Sequence, residues 1–190
     1  MNNSKENLFL HANAELCMAC SNCVLACSVA HSGHNLLDAI KLELKIEPRN
    51  ELVQVAEVVM PMQCRHCEDA PCAIACPTGA ISHHEAGFVN IEESNCIACK
   101  VCNMVCPFGA IKMANESQEE GTSRTKRTIA SKCDLCHDQI SADGEFNCAC
   151  IEACPTQAIQ LIDYETYRKQ LVLRRTQELV NAQTSMKTCI

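Results

Sequence analysis

The 190-residue chain has no tryptophan, two tyrosines and four phenylalanines, an aromatic share of 3%. Large aromatic side chains dominate the packing of most apolar cores, so a core built around them is excluded. No run of eighteen or more apolar residues is present. The opening MNNSKENLFLHANAELC has neither a basic stretch leading into an apolar one nor a twin arginine. The expectation is a cytoplasmic protein without a membrane span. A glycine-rich nucleotide loop and a recognisable nucleophile–base signature are missing too, which argues against an enzyme in its own right. Basic residues are not in excess. The formal net charge is −7, which offers no general electrostatic support for binding nucleic acid or an anionic membrane.

Cysteine is what the chain has in abundance, 18 residues in all. These thiols inflate the 47% hydrophobic content, so the apolar core is thinner than that figure implies and the fold needs staples. In a reducing compartment such thiols read as metal ligands or redox centres rather than as a disulfide framework. Sixteen of them fall into four quartets: Cys17, Cys20, Cys23, Cys27; Cys64, Cys67, Cys72, Cys76; Cys96, Cys99, Cys102, Cys106; and Cys133, Cys136, Cys150, Cys154. Cys148 and Cys189 are left over. Three quartets close on one repeated phrase, CPTGAI from Cys76, CPFGAI from Cys106 and CPTQAI from Cys154. The first quartet lacks the proline and runs into Ser28-Val29-Ala30-His31.

The third quartet is spaced C-x2-C-x2-C-x3-C-P. That is the bacterial ferredoxin run, in which three cysteines hold one [4Fe–4S] cluster and the fourth holds another. Two-residue spacings let a tight loop wrap three thiolates around one face of a cubane, and the proline after the fourth cysteine is expected to begin a helix. Structural zinc prefers two separated pairs and explains the overlapping triplets poorly. Four complete quartets therefore predict four [4Fe–4S] clusters and an electron-transfer role. Each oxidised cluster with its four thiolates adds about −2, which takes the total charge to roughly −15 and steers basic redox partners toward the surface.

Other residues receive plainer expectations. Cys148 lies two positions before Cys150 and is a possible substitute for it, although the x3-CP spacing favours Cys150. Cys189 reads as a tail thiol. His66, inside CRHC, is expected to pack or to tune a cluster from outside its ligand set, because thiolates outcompete imidazole for this iron. His31, His34, His83, His84 and His137 are expected on the surface, and the seven methionines as gap-fillers.

Ile40, Leu42, Leu44 and Ile46 alternate with charged residues, predicting a strand, and the valines from Val53 to Val59 continue in β-favouring composition. Residues 37–60 are thus expected to form a β-hairpin insertion. Gly87 to Ile91 reads as a short strand feeding Cys96. Residues 115–128 read as an exposed loop whose basic Arg124, Lys126 and Arg127 are solvated or face a partner. Residues 163–190, without glycine or proline, predict a C-terminal helix that packs on its own protein or docks on another subunit.

The phrases CMACSNCVLACSVAHS, MQCRHCEDAPCAIACPTGAI, CIACKVCNMVCPFGAI and KCDLC…CIEACPTQAI resemble those of four-cluster ferredoxin-like electron-transfer subunits. Such subunits serve molybdopterin oxidoreductases, formate dehydrogenases, hydrogenases and carbon monoxide dehydrogenases. The likeness covers Leu8 to about Ile162. The opening phrase is most similar to that of the CooF-type subunit that carries electrons away from carbon monoxide dehydrogenase. The subunits of formate-dependent hydrogen-metabolising complexes are close behind.

The resemblance implies an α+β fold of two bacterial-ferredoxin-like lobes, each holding two clusters. The first lobe would comprise residues 1–36 and 129–162, and the second residues 61–114. It also implies nested ligand sets: Cys17, Cys20, Cys23 with Cys154; Cys133, Cys136, Cys150 with Cys27; Cys64, Cys67, Cys72 with Cys106; and Cys96, Cys99, Cys102 with Cys76. Carbon monoxide dehydrogenase is the implied donor, with a hydrogenase or a flavin-dependent NAD(P) reductase as acceptor. A formate dehydrogenase/hydrogenase complex is the alternative setting.

Overall fold

The computed structural model describes residues 7–43, 46–120, 123–140 and 146–187. Short elements dominate, as expected where so few residues favour long apolar faces. In chain order the first half runs β1 (Leu8–Ala12), α1 (Asn22–Ala30), α2 (Leu36–Lys41), β2 (Glu51–Val55), β3 (Val58–Met62), α3 (Pro71–Ile74), β4 (Ile81–His84) and β5 (Phe88–Ile91). The second half runs α4 (Val101–Val105), β6 (Lys112–Glu120), β7 (Ser123–Ser131), α5 (Ala149–Glu152), β8 (Ile159–Asp163) and α6 (Tyr164–Lys187). The strands form four two-stranded antiparallel sheets, pairing β1 with β8, β2 with β3, β4 with β5 and β6 with β7.

The β1–β8 ladder sets Leu8 against Asp163 and Ala12 against Ile159, so the first strand closes on the last one before α6. Helices α1 and α5 pack together beside this ladder, and α3 and α4 pack together beside β4. Two apolar clusters result. One gathers Leu10, Phe88, Leu135 and Ile159 with Cys23, Cys64, Cys133, Cys148 and Cys150. The other gathers Ala80, Ile81, Val89, Ile111, Ile129 and Ala130 with Cys72, Cys96 and Cys102. Two-stranded sheets are marginal alone in water, so the cysteine-rich clusters between them carry much of the stability.

The structure departs from the sequence reading at three places. Ile40 lies in helix α2 rather than in a strand, because Asn35 caps that helix by accepting from the Asp38 backbone N–H at 2.9 Å; the hairpin of the 37–60 segment is confined to β2 and β3, and Leu44 and Lys45 lie outside the described residues. The expected loop at 115–128 is instead part of the β6–β7 hairpin, registered from Lys112 opposite Ser131 to Glu120 opposite Ser123. Burial of Ile129 and Ala130 holds the base of that ladder while its outer part is polar. The Cys-Pro prolines also follow helices rather than starting them. Ala75 and Ala153 end α3 and α5, and Pro77 and Pro155 then turn the chain toward β4 and β8.

The repeated phrases share one backbone. Gly79, Gly109 and Gln157 occupy the fourth position of the three phrases with φ of 66°, 60° and 53°. Each donates its N–H to the carbonyl of the cysteine three residues before it, at 3.2–3.3 Å. Glycine takes this left-handed conformation without strain and glutamine does not. Gln157→Gly is therefore expected to stabilise the protein by about 0.5–1 kcal/mol, the relief of strain being partly offset by a freer unfolded chain. The measurement is the urea midpoint at which visible absorbance is lost; a lowered midpoint would contradict the account.

A candidate iron–sulfur site

The cysteine loops are built on paired left-handed residues. In C-M-A-C-S-N-C, Ala19 and Ser21 have φ of 57° and 64°; in C-I-A-C-K-V-C, Ala98 and Lys100 have φ of 56° and 65°. These kinks turn the thiols of Cys17, Cys20 and Cys23, and of Cys96, Cys99 and Cys102, toward one side of each loop before α1 and α4 begin. Into each loop reaches a cysteine from a distant phrase. One small pocket, of about 20 Å³, is lined by Cys17, Cys20, Cys23 and Cys154. Its counterpart, also of about 20 Å³, is lined by Cys96, Cys99, Cys102 and Cys76.

Of the remaining eight thiols six are buried, and Cys67 and Cys106 are half-buried. Cys64, Cys67, Cys72 and Cys106 are mutual neighbours, and burial together with the Cys64 thiol pushes Cys72 up to about 11. Burial drives Cys133 well above the ordinary thiol range, with Cys150 and Cys64 adding to it. Cys150 is pushed up to about 12 by burial and by Cys27, Cys136 and Cys23. The structure thus brings Cys27, Cys133, Cys136 and Cys150 to one place. Cys64 shares an apolar cluster with Cys133, and Cys23 with Cys150. The apolar clusters link the groups: Cys72 of the Cys64 group lies with Cys96 and Cys102 in one, and Cys64 lies with Cys133, Cys150 and Cys23 in the other, so the Cys96 and Cys17 groups are the outer ones. Cys99 and Cys20, in the outer groups, are exposed.

Cys148 sits beside these groups without entering them in the same way. Its buried thiol donates to the Leu135 carbonyl at 3.3 Å, and the nearness of Cys148 lowers the Cys136 thiol. Cys189 lies outside the described residues.

Backbone N–H groups of Arg49, His66, Ala130 and Ala158 donate to Cys27, Cys64, Cys96 and Cys154 at 3.2–3.5 Å. At Cys76 and Cys154 slight burial works against ionisation, yet the hydroxyls of Thr78 and Thr156 and nearby backbone amides outweigh it and lower both thiols. The phrase CPFGAI has Phe108 in place of that threonine.

Three polar features escaped the sequence reading. His31, expected on the surface, is largely buried: its Nε2 donates to Asp134 at 3.0 Å and its Nδ1 lies 2.8 Å from the Cys27 carbonyl. Burial opposes charge on His31, but the Asp134 carboxylate pushes it up to about 10. Although burial opposes its charge too, the same carboxylate is held well below the usual range by His31 and by the adjacent Arg49 guanidinium. Arg127, read as solvated or partner-facing, donates to the Ser94 and Cys96 carbonyls at 3.0 and 2.6 Å. Lys132 is buried and donates to the carbonyls of Val89 and Cys133. The Asp134 partner of His31 lies 103 residues away in the chain, so no local pattern could have announced it.

His66 matches its expectation. Its Nδ1 accepts from the Val89 backbone N–H at 3.0 Å, its ring meets Phe88 edge-on, and its Nε2 is buried with no protein partner. Because Nδ1 accepts, Nε2 carries the proton, and a buried unpaired N–H beside two cysteines suits a sulfur-rich group. All-thiol donor sets, cavities lined by four sulfurs and this spare donor fit [4Fe–4S] clusters.

Such a constellation defines an iron–sulfur electron-transfer protein of ferredoxin-like α+β fold. The model of the 4Fe–4S dicluster domain matches residues 55–164, and the chain belongs to that family. It is 47% identical over 184 residues to an iron–sulfur protein of Rhodospirillum rubrum, covering 96% of each chain. It is 36% identical to the electron transport protein HydN of Escherichia coli K12, over 83% of this chain and 89% of that one. Formate hydrogenlyase subunit 2 of the same strain is 34% identical, over 83% of this chain and 82% of its own. No helix among the described residues is long and apolar enough to cross a membrane.

The Asp134 network is accessible to direct test. Asp134→Ala leaves Arg49 and His31 without their buried carboxylate and is expected to destabilise the protein by about 3 kcal/mol. Urea unfolding followed by visible absorbance measures this. A change below about 0.5 kcal/mol, the scale of an ordinary surface substitution, would contradict it.

Proposed function

We propose that this chain relays single electrons through four [4Fe–4S] clusters between a catalytic subunit and an acceptor in the cytoplasm. The observation that carries the reading is that cysteines from separate phrases line common pockets, Cys154 with Cys17, Cys20 and Cys23, and Cys76 with Cys96, Cys99 and Cys102. The holding sets are Cys17, Cys20, Cys23, Cys154; Cys27, Cys133, Cys136, Cys150; Cys64, Cys67, Cys72, Cys106; and Cys76, Cys96, Cys99, Cys102. Each cluster, when bound, supplies a one-electron couple with little nuclear rearrangement. The protein's part is to space the sites, exclude water from the inner two and leave the outer two open. Met18 and Ile97, beside Cys20 and Cys99, are 61% and 62% exposed, and such apolar residues at the two ends suit transient docking of redox partners.

Anaerobically purified protein is expected to contain about sixteen iron and about sixteen acid-labile sulfide atoms per chain. Cys150→Ser is expected to lose about four irons and Cys148→Ser none, since the Cys148 thiol is engaged by Leu135. Half the expected sulfide, or zinc in place of iron, would overturn the four-cluster reading. Equal loss in both variants would overturn only the assignment of Cys150.

Two donors are supported by different observations. The opening phrase around Cys17 to Cys27 supports a CooF-type role with carbon monoxide dehydrogenase as donor and a hydrogenase or flavin-dependent NAD(P) reductase as acceptor. The likeness to formate hydrogenlyase subunit 2 supports a formate dehydrogenase/hydrogenase complex about as well. Mixing the oxidised protein with carbon monoxide and its dehydrogenase, or with formate and its dehydrogenase, separates them. Rapid bleaching with carbon monoxide alone is the expected result; bleaching with formate alone selects the alternative, and bleaching with neither excludes both donors.

A further inference from the structure

Lys132 is 3% exposed and lies just after the end of β7, directly before Cys133. Its ammonium donates to the Cys133 carbonyl at 3.0 Å and to the Val89 carbonyl, so it ties the two apolar clusters together. Among the described residues no carboxylate pairs with it. Asp134 is next in the chain, but its carboxylate is engaged by Arg49, by His31 and by the Cys136 backbone N–H at 3.1 Å.

A buried ammonium served by neutral carbonyls alone is costly, and it persists where nearby negative charge offsets the desolvation. Here that charge is available on two sides. Cys133 belongs to one inner thiol group; Cys72, which feels the charge of Lys132, belongs to the other. Four thiolates around an oxidised cubane carry a net −2, and reduction adds one more negative charge. A fixed positive charge in a poorly solvated place favours the reduced state of whatever lies beside it. The cations beside the outer groups are less deeply placed: Lys100 is exposed to solvent, and Arg127, which donates to the Cys96 carbonyl at 2.6 Å, is half-buried.

We propose that Lys132 is a positioning residue whose buried charge, held between the Cys64 and Cys133 groups, raises the reduction potentials of the two inner clusters above those of the outer two. An electron entering from either end then rests on the inner pair. This rests on the four-cluster reading above.

The test is an EPR-monitored redox titration of wild type, K132Q and K132R, each first assayed for iron and sulfide, with Cys20→Ser and Cys99→Ser marking the signals of the outer clusters. In wild type the inner pair is expected to reduce first. K132Q, which keeps a hydrogen-bond donor and removes the charge, is expected to lower the reduced-to-oxidised ratio of the inner pair at least tenfold at fixed potential. That is about 59 mV for a one-electron couple. The outer pair should be unmoved, and K132R should resemble wild type. Four loaded clusters with unmoved inner potentials in K132Q, or a uniform shift of all four, would overturn the inference. Should K132Q fail to load its clusters, wild type decides, because an outer cluster reducing first would overturn it equally. A wild-type iron count far from about sixteen would instead fail the four-cluster reading.

Discussion

Buried thiols in close company cannot all ionise on their own, and this constraint shapes the rest of the molecule. Burial raises Cys72, Cys133 and Cys150, and the thiols around them raise them further. Iron needs the thiolate. The two demands are reconciled only when multivalent iron replaces the protons, so the free energy of cluster binding is also folding free energy. The apolar clusters show the dependence directly: cysteines stand in them among alanines, with Phe88, Leu10, Ile111 and Leu135 as the largest fully buried side chains.

The same constraint accounts for the topology. A thiol group drawn from a single tight loop has three close cysteines and needs a fourth from elsewhere, so loops and phrases are exchanged between distant segments. Pairing β1 with β8 brings the CPTQAI phrase to the first loop and places Cys154 among Cys17, Cys20 and Cys23. Pairing β4 with β5 brings CPTGAI to the third loop and places Cys76 among Cys96, Cys99 and Cys102. Short strands suffice because each has only to hold a register, while the metal-binding thiols supply the cohesion.

Features governed by local spacing were legible in the sequence. The four quartets, the strand at Gly87 to Ile91 and the helix after Ile162 all follow from periodicity or repetition, and the structure places β5 and α6 there. Features governed by one capping group or by distant partners were not. The alternation through Ile40 and Leu42 reads as a strand until the Asn35 cap is weighed against it. The polar composition of 115–128 conceals a hairpin whose register is held at its base by Ile129 and Ala130. His31, Arg49 and Asp134 come from three parts of the chain, and nothing local marks them as one network. The C-terminal helix was visible as a helix but not in its packing. Tyr167 lies edge-on to Phe9 at 5.4 Å, while Val172, Leu173, Leu179 and Val180 remain exposed.

Charge in this protein is segregated by depth. The chain as a whole carries −7, yet among the described residues the inner region holds Lys132, Arg49 and His31 against the buried carboxylate of Asp134, with the more exposed Glu93 reaching Arg49 at 3.6 Å. Water screens the outer thiol groups, where Cys20 and Cys99 are exposed, and screens the inner ones far less. A given charge therefore acts more strongly on the inner groups than on the outer ones. Acidic residues at the surface steer partners and have little hold over the interior, whereas a few buried cations bear directly on it. Docking and redox tuning can then vary separately, the first through exposed side chains around the end loops and the second through the residues that flank Cys133.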